Sequence, residues 1–470
     1  MRIKRITVKK YKNLVDFDCE FSDSNISAFI GNNGAGKSHL LELITRAFSN
    51  ALNYNNKRDL PLLIPGQEPS VQDCIINYEL DGVIYQLKYN HGIMDVIKDY
   101  TTDSRGIHEI IELFCGDKKI PQKRFAECLP SNILLYYAGE TNRQKTTAED
   151  TFDSRYDNKL KNAESTALPG LKYMDYYSVD DLPLLLTALV VYKSEVYAKL
   201  LGRLNYKSIS NKIHLYLGSP DPKKKSGDAN NFWNTRGFIK LFLEEIRKYA
   251  TSTKDLGFQY MMSFHLPDEL KRCSDNEFDL FSKLKALKNY GILKAIGIRL
   301  VNEDGKEFSQ LNLSEGEKQL SLLYLLTSFT AKNNSLYLFD EFDAYLHLNW
   351  QRSVSKMLND IDVNGHIIFT THSPASISKM HREDVYILKD GKIYNASSET
   401  FNRSLDEIME EQMEVSLRPQ EYSELVQEYR NAIINNQKSI ALAKLDQIKE
   451  VIGEDDPFFI TARIAMERMK

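Results

Sequence analysis

The sequence predicts an α/β fold built on buried parallel strands, followed by an all-helical C-terminal region. Three observations predict it. An apolar strand, Asn25 to Ile30, runs directly into a glycine-rich turn and then a helical run, His39 to Ile44. Two further short apolar strands, Ser335 to Asp340 and His366 to Thr370, end in polar groups, as expected where the C-terminal edge of a parallel sheet carries chemistry. Past His372 only 98 residues remain, and beyond a strand pair around Asp390 and Gly391 their pattern is helical alone.

At 470 residues, 42% hydrophobic and 27% charged, the chain has the composition of a globular protein rather than a disordered one. Its 61 basic and 65 acidic residues net to −4, so no chain-wide basic excess points to nucleic acid or anionic membrane. The longest apolar run, Leu182 to Tyr192, is interrupted by Pro183 and Thr187 and is shorter than the roughly 20 residues a spanning helix needs, so no membrane embedding is expected. The start of the chain lacks the apolar core of a secretory signal; Ile3, Ile6 and Val8 read instead as a strand that opens the fold. Cys19, Cys74, Cys115, Cys128 and Cys273 are odd in number and nowhere spaced as CxxC, which argues against disulfides and zinc and fits buried thiols in a reducing cytoplasm.

The strand Asn25 to Ile30 leads into Gly31-Asn32-Asn33-Gly34-Ala35-Gly36-Lys37-Ser38, a GxxxxGKS loop between strand and helix. Glycines let backbone N–H groups close around phosphate oxygens, and the helix N-terminus adds partial positive charge. Lys37 is placed to reach the terminal phosphates of a bound ligand, and the Ser38 hydroxyl to ligate Mg²⁺.

Leu313-Ser314-Glu315-Gly316-Glu317-Lys318-Gln319 precedes an apolar helical run; Ser314 as cap with Glu317 at the third position makes a capping box. Asp340 and Glu341, which begin 26 positions after Ser314, close a buried strand. Asp340 is expected to hold the Mg²⁺ shell and Glu341 to polarise the attacking water as general base. His372 stands 31 positions past Glu341, at the end of the next strand.

In this order and spacing, the glycine-rich loop, the LSEGEKQ segment, the Asp-Glu strand end and the strand-end histidine together resemble the motif set of ABC-type ATPases: Walker A, signature, Walker B and switch histidine. The resemblance implies a P-loop ABC-type ATPase head. It also implies that ATP is sandwiched between Walker A of one head and Ser314, Glu315 and Gly316 of another, so that hydrolysis requires a homodimer or higher homo-oligomer. His372 then touches the γ-phosphate.

The 277 positions from Lys37 to Ser314 exceed the helical subdomain of transporter ATPases, and no sustained heptad marks a coiled coil. The segment mixes strands (Ile75 to Leu80, Val83 to Tyr89, Asn132 to Tyr137, Lys212 to Leu217) with a loop-like stretch, Asn142 to Thr166. Apolar helices are expected at Leu184 to Leu201 and Phe238 to Tyr249, the second with Phe238, Leu241, Phe242 and Ile246 on one face. The whole reads as a mixed α/β to helical insertion, a lid or dimerisation module, with Lys223, Lys224 and Lys225 in a solvated turn. Glu140 or Gln144 is the candidate for the Q-loop role. The expected segments are 1–140 and 286–400 for the two parts of the head, 141–285 for the insertion and 401–470 for a partner-docking helical tail.

After the acidic pair, Phe342-Asp343-Ala344-Tyr345-Leu346-His347 resembles OLD-like and RecF-like bacterial ATPases, in which a Leu-His pair follows Asp-Glu. The tail carries no DxD after His372, so the Toprim nuclease of OLD proteins is not expected, and Glu454-Asp455-Asp456 reads as a turn. No histidine follows His381, so the Arg/His chemistry of anticodon nucleases is missing as well. The tail segments Arg403-Ser404-Leu405-Asp406-Glu407-Ile408, Arg418-Pro419 and Gly453 to Pro457, with Trp233 and Arg236-Gly237, are similar to PtuA-like ATPases of Septu and retron-linked antiphage systems. That similarity implies antiphage defence, a separately encoded nuclease partner, typically of HNH type, and contact with nucleic acid through the complex. A RecF-like clamp that holds DNA in recombination and repair is the second reading of the same head motifs.

Overall fold

The computed structural model describes residues 1–52, 59–62, 71–98, 101–139, 159–168, 173–221, 228–257, 259–396, 398–401, 403, 405–412, 420–453, 456 and 458–467. The chain divides into two compact units, Met1–Phe401 and Asn402–Lys470. At the centre of the first is a seven-stranded sheet in the order Tyr173–Tyr177, Asn132–Tyr137, Ser335–Asp340, Gly365–Thr370, Ile26–Ile30, Val385–Lys389, Lys392–Asn395. The first six strands run parallel and the last is antiparallel. Three neighbours, Ser335–Asp340, Gly365–Thr370 and Ile26–Ile30, are buried at every position, which is why they read as mostly apolar runs without polar alternation.

A second, antiparallel sheet orders Leu14–Glu20, Arg2–Tyr11, Cys74–Leu80, Val83–Lys98, Thr101–Cys115 and Asp59–Leu62. Ile3, Ile6 and Val8 are buried as expected, and the three-residue step from Ile3 to Ile6 is absorbed by an irregularity between Ile3 and Arg5. The helix Lys37–Leu52 packs against strands of both sheets, with 12 of its 16 residues buried. Its Leu40, Leu41 and Phe48 share one core with Leu336, Leu338 and Ile368 of the parallel sheet and Ile76, Leu87 and Leu113 of the antiparallel one. The glycine-rich loop is therefore anchored from behind by an apolar core that its helix shares with both sheets.

The segment between the two halves of the head is not a single module. Asn132–Tyr137 lies in the parallel sheet, hydrogen-bonded to Ser335–Asp340, and Cys74–Leu80 pairs with the N-terminal strand. Later residues build a four-stranded antiparallel sheet, Ser252–Asp255, Gln259–Phe264, Ile213–Gly218 and Leu293–Gly297, and a small three-stranded one. The helix expected over Leu184 to Leu201 is two helices, Leu182–Tyr192 and Glu195–Leu204. Lys193 turns left-handed at φ 50° with its N–H on Leu189 O, and Ser194 is extended, so the helical dihedrals end there. In the helix Gly237–Arg247, Ile239 and Leu243 are buried together with Phe238, Phe242 and Ile246, whereas Leu241 is half-buried.

The second unit is helical: Leu405–Gln412, Gln420–Ile434, Lys438–Ile452 and Phe458–Glu467. Its core joins Tyr422, Val426, Tyr429, Ala432, Ala441, Ile448 and Ala462. The five cysteines are free thiols, four of them buried. No helix among the described residues is long and apolar enough to cross a membrane. Glu140, Gln144, 142–158, Lys223 to Lys225, Arg418-Pro419, Glu454, Asp455 and Pro457 lie outside the described residues.

Candidate nucleotide site

Parallel pairing brings the chemistry to one edge. Thr370 is level with Phe29, and Phe339 with Phe369, so the strands before Gly31, Asp340 and Thr371 end together. One strand separates the glycine-loop strand from the acidic one. At Gly31 the chain turns at φ 151°, and a Cβ there would lie 2.1 Å from Leu388 O, so glycine alone fits. Asn32, Asn33 and Gly34 are exposed, Ala35, Gly36 and Lys37 are buried, and Ser38 is half-buried at the start of the helix. The turn Asp390-Gly391 supports the loop from the side, with Gly391 N donating to Ala35 O at 3.2 Å.

Lys37 Nζ donates to Gly31 O at 2.7 Å and to Asn32 O at 3.2 Å. Burial lowers its pKa to about 8, against the opposing pull of Asp340 and Glu341. A polyphosphate in the loop would supply the negative charge that restores the ammonium form.

Asp340 is 1% exposed and accepts a hydrogen bond from Thr370 Oγ1 at 2.5 Å. The same hydroxyl accepts from Glu341 N at 2.9 Å, so one threonine holds both acids. Glu341 itself sits in the left-handed region at φ 49°, a conformation that costs a non-glycine residue on the order of 1 kcal/mol and turns its carboxylate off the strand line. Its Oε1 lies 4.0 Å from His372 Nε2, and both side chains are about one-third exposed. Burial, then the nearby Lys37 cation, lowers the His372 pKa, so the ring is neutral at pH 7 and can accept or donate a proton.

Ser314, Glu315 and Gly316 are held by other elements. Ser314 caps the helix Glu315–Thr330 in a full capping box: its Oγ accepts from Glu317 N at 3.3 Å and its N–H donates to Glu317 Oε2 at 2.7 Å. Glu315 pairs with Lys318 at 2.7 Å. That helix packs on Leu182–Tyr192, Glu195–Leu204 and Leu348–Asn359, whereas the helix after the glycine loop packs between the two sheets. The structure therefore gathers Gly31 to Ser38, Asp340, Glu341 and His372 at one edge and seats the Ser314 segment on a separate helical layer.

Several polar groups at this edge went unnoticed in the sequence. Thr370 is one. Asn13, in the turn between the first two strands, donates from Nδ2 to Gly34 O at 2.7 Å and meets His39 Nδ1 through Oδ1 at 2.6 Å. Gln319 Nε2, on the helix opened by Ser314, donates to Phe342 O next to the acid pair. Their partners lie 21 to 30 positions away, too far for any local pattern to reveal. Among the described residues no group of three or more His, Cys, Asp or Glu is placed to hold a metal. A Mg²⁺ held by one carboxylate, one hydroxyl and phosphate oxygens needs no such group, and Ser38 with Asp340 is a donor set of that kind.

A glycine-cradled loop between a central parallel strand and a helix, facing acids one strand away, defines a mixed α/β P-loop ATPase fold. Within it, residues 197–378 match the profile of a family described as "AAA domain, putative AbiEii toxin, Type IV TA system". That span includes Ser314, Asp340, Glu341 and His372 and omits the glycine loop. Over its full length the chain is 22% identical to the "Retron Ec83 probable ATPase" of Escherichia coli, covering 87% of that protein. It is 23% identical to the "Retron Vc95 probable ATPase" of Vibrio cholerae serotype O1 biovar El Tor, over 94% of this chain and 86% of that one. Among solved structures, the SMC head domain from Thermotoga maritima aligns with a TM-score of 0.38 at 12% identity, over 84% of this chain and 98% of that one. The recombination mediator RecF aligns at 0.36 and 14%, again over 84% and 98%.

Proposed function

We propose that this chain binds and hydrolyses ATP with Mg²⁺ as the ATPase subunit of an antiphage defence complex, and that nucleotide-dependent pairing of two heads controls a separately encoded nuclease. One observation carries the ATPase reading: Lys37, Asp340, Glu341 and His372 converge on one sheet edge, with His372 4.0 Å from Glu341 and both acids acting on Lys37. Backbone N–H groups of Gly31 to Ser38 and the Lys37 ammonium bind the phosphates, and Ser38 and Asp340 would hold the metal. Mg²⁺ when bound neutralises charge developing on the phosphates. Glu341 takes the proton of the attacking water, and neutral His372 hydrogen-bonds the γ-phosphate. Ser314, Glu315 and Gly316 cap the nucleotide of a second head in this reading. The similarity to retron ATPases supports the defence assignment, and the resemblance of the tail segments to PtuA-like ATPases is what suggests a separately encoded nuclease partner.

The test has two parts. Lys37→Ala should abolish tight ATP binding in calorimetry, and Glu341→Gln should keep binding while slowing hydrolysis at least about 100-fold. Unchanged affinity in the first or full turnover in the second would sink the assignment. A pull-down of the tagged chain from its native host should yield a nuclease, typically of HNH type, in stoichiometric amount. ATP-dependent, salt-sensitive retention of DNA with no such partner would replace the defence reading by a RecF-like DNA clamp.

A further inference from the structure

Two residues past Glu341 lies a buried carboxylate to which the reading above gives no role. Asp343 is 3% exposed, and its Oδ2 accepts hydrogen bonds from both Thr371 Oγ1 and Ser376 Oγ. These hydroxyls bracket the loop that carries His372. A second tie runs in parallel: Gln351 Nε2 donates to Asp343 O at 3.0 Å while its Oε1 accepts from Ser373 Oγ at 2.7 Å. Ser373 N closes the loop on Thr371 Oγ1 at 2.8 Å.

The His372 ring makes no hydrogen bond among the described residues; its approach to Glu341 is 4.0 Å, beyond hydrogen-bond reach. Its position is therefore set by the backbone of its loop, and whatever holds Thr371 and Ser376 holds the ring. Burying a carboxylate is costly, and desolvation raises the Asp343 pKa against the two hydroxyl donors. An apolar side chain would fill the same space at lower cost, but it could not bind two hydroxyls in fixed directions.

We propose that Asp343 is a positioning residue for His372: by clamping Thr371 and Ser376 it fixes the switch loop against the chain that leaves Glu341. The clamp reaches further, since Gln319 of the helix Glu315–Thr330 donates to Phe342 O, between Glu341 and Asp343. This inference rests on the ATPase reading of Glu341 and His372.

Its test is a double-mutant cycle in the full chain, reading kcat for ATP hydrolysis and ATP affinity separately. Asp343→Ala should lower kcat about tenfold or more and leave the Kd for ATP within about twofold. Asp343→Asn, whose side-chain oxygen can still accept both hydroxyls, should recover at least about a third of the lost rate. Combined with His372→Ala, Asp343→Ala should add less than about twofold, because both act through one ring. Additive losses, or Asp343→Ala at parental rate, would overturn the proposal. If Asp343→Ala does not fold, Thr371→Val and Ser376→Ala each remove one arm of the clamp and should each lower kcat about threefold or more. Full turnover by Glu341→Gln and His372→Ala would instead sink the ATPase reading beneath it. Slow His372→Ala beside fast Asp343→Ala would sink this inference alone.

Discussion

Replacing Thr370 by Val nearly conserves volume and removes a hydroxyl that bonds to both acids. That hydroxyl donates to Asp340 Oδ1 at 2.5 Å and accepts from Glu341 N at 2.9 Å, and Thr370 and Asp340 are 0% and 1% exposed. A hydrogen bond to a charged group contributes about 1.5–3 kcal/mol and a neutral one about 0.5–1.5, so their loss should cost roughly 2–4 kcal/mol of stability. Activity should fall for a separate reason. Glu341 is held at φ 49°, and without the bond to its N–H it can relax toward ordinary backbone and carry its carboxylate away from the water. Thr370→Ser is the control: it retains the hydroxyl and loses one buried methyl, about 1 kcal/mol. Urea denaturation midpoints and kcat are measured on the same preparations. If Thr370→Val is no less stable and no slower than Thr370→Ser, the hydroxyl does not hold the acids and the reasoning fails.

Three further outcomes are expected. Lys37 has a pKa of about 8 before nucleotide binds, and only its protonated form pairs with phosphate. ATP affinity should therefore be flat below that pH and weaken toward about tenfold per pH unit above it, by calorimetry; a flat profile to pH 9 would refute this. Buried His366 accepts from Ile3 N at 3.2 Å through Nδ1, meets Ser27 Oγ at 3.0 Å through Nε2, and has its pKa lowered to about 3 by desolvation. The unfolded chain binds that proton near pH 6.5, so the stabilisation present above 6.5 is lost as pH falls. The advantage of the parent over His366→Asn should shrink by about 2 kcal/mol from pH 7 to 5 in denaturant titrations, and an unchanged difference would count against it. Gly391→Ala places a Cβ 1.8 Å from Asn13 O at φ 74°. It should cost about 2–4 kcal/mol and weaken ATP binding by shifting the Asn13 turn from the loop, whereas Gly305→Ala, with open space at φ 77°, should cost only about 1 kcal/mol and spare ATP binding.

What was legible in the residues was local. The strand, turn and helix around Gly31 to Ser38 and the capping box of Ser314 with Glu317 are made by neighbours a few positions apart, and both stand where expected. The break at Lys193 was not legible, because the apolar residues on either side belong to two helices that each bury them, and a left-handed lysine carries no composition signal. Nor was the pairing of Asn132–Tyr137 beside Ser335–Asp340, since its apolar run suits any buried strand.

The sequence by itself determined the α/β class, the glycine-rich loop between strand and helix and the acids that end a buried strand, because hydrophobic period, glycine placement and capping are short-range constraints. Only the tertiary structure decided that the strands before Gly31, Glu341 and Thr371 end together, that Thr370 holds Asp340 and Glu341 together, and that Asp343 binds the loop of His372. The bonds from Asp343 to Thr371 and Ser376 join residues 28 and 33 positions apart, and they form only when strand pairing has closed the intervening chain.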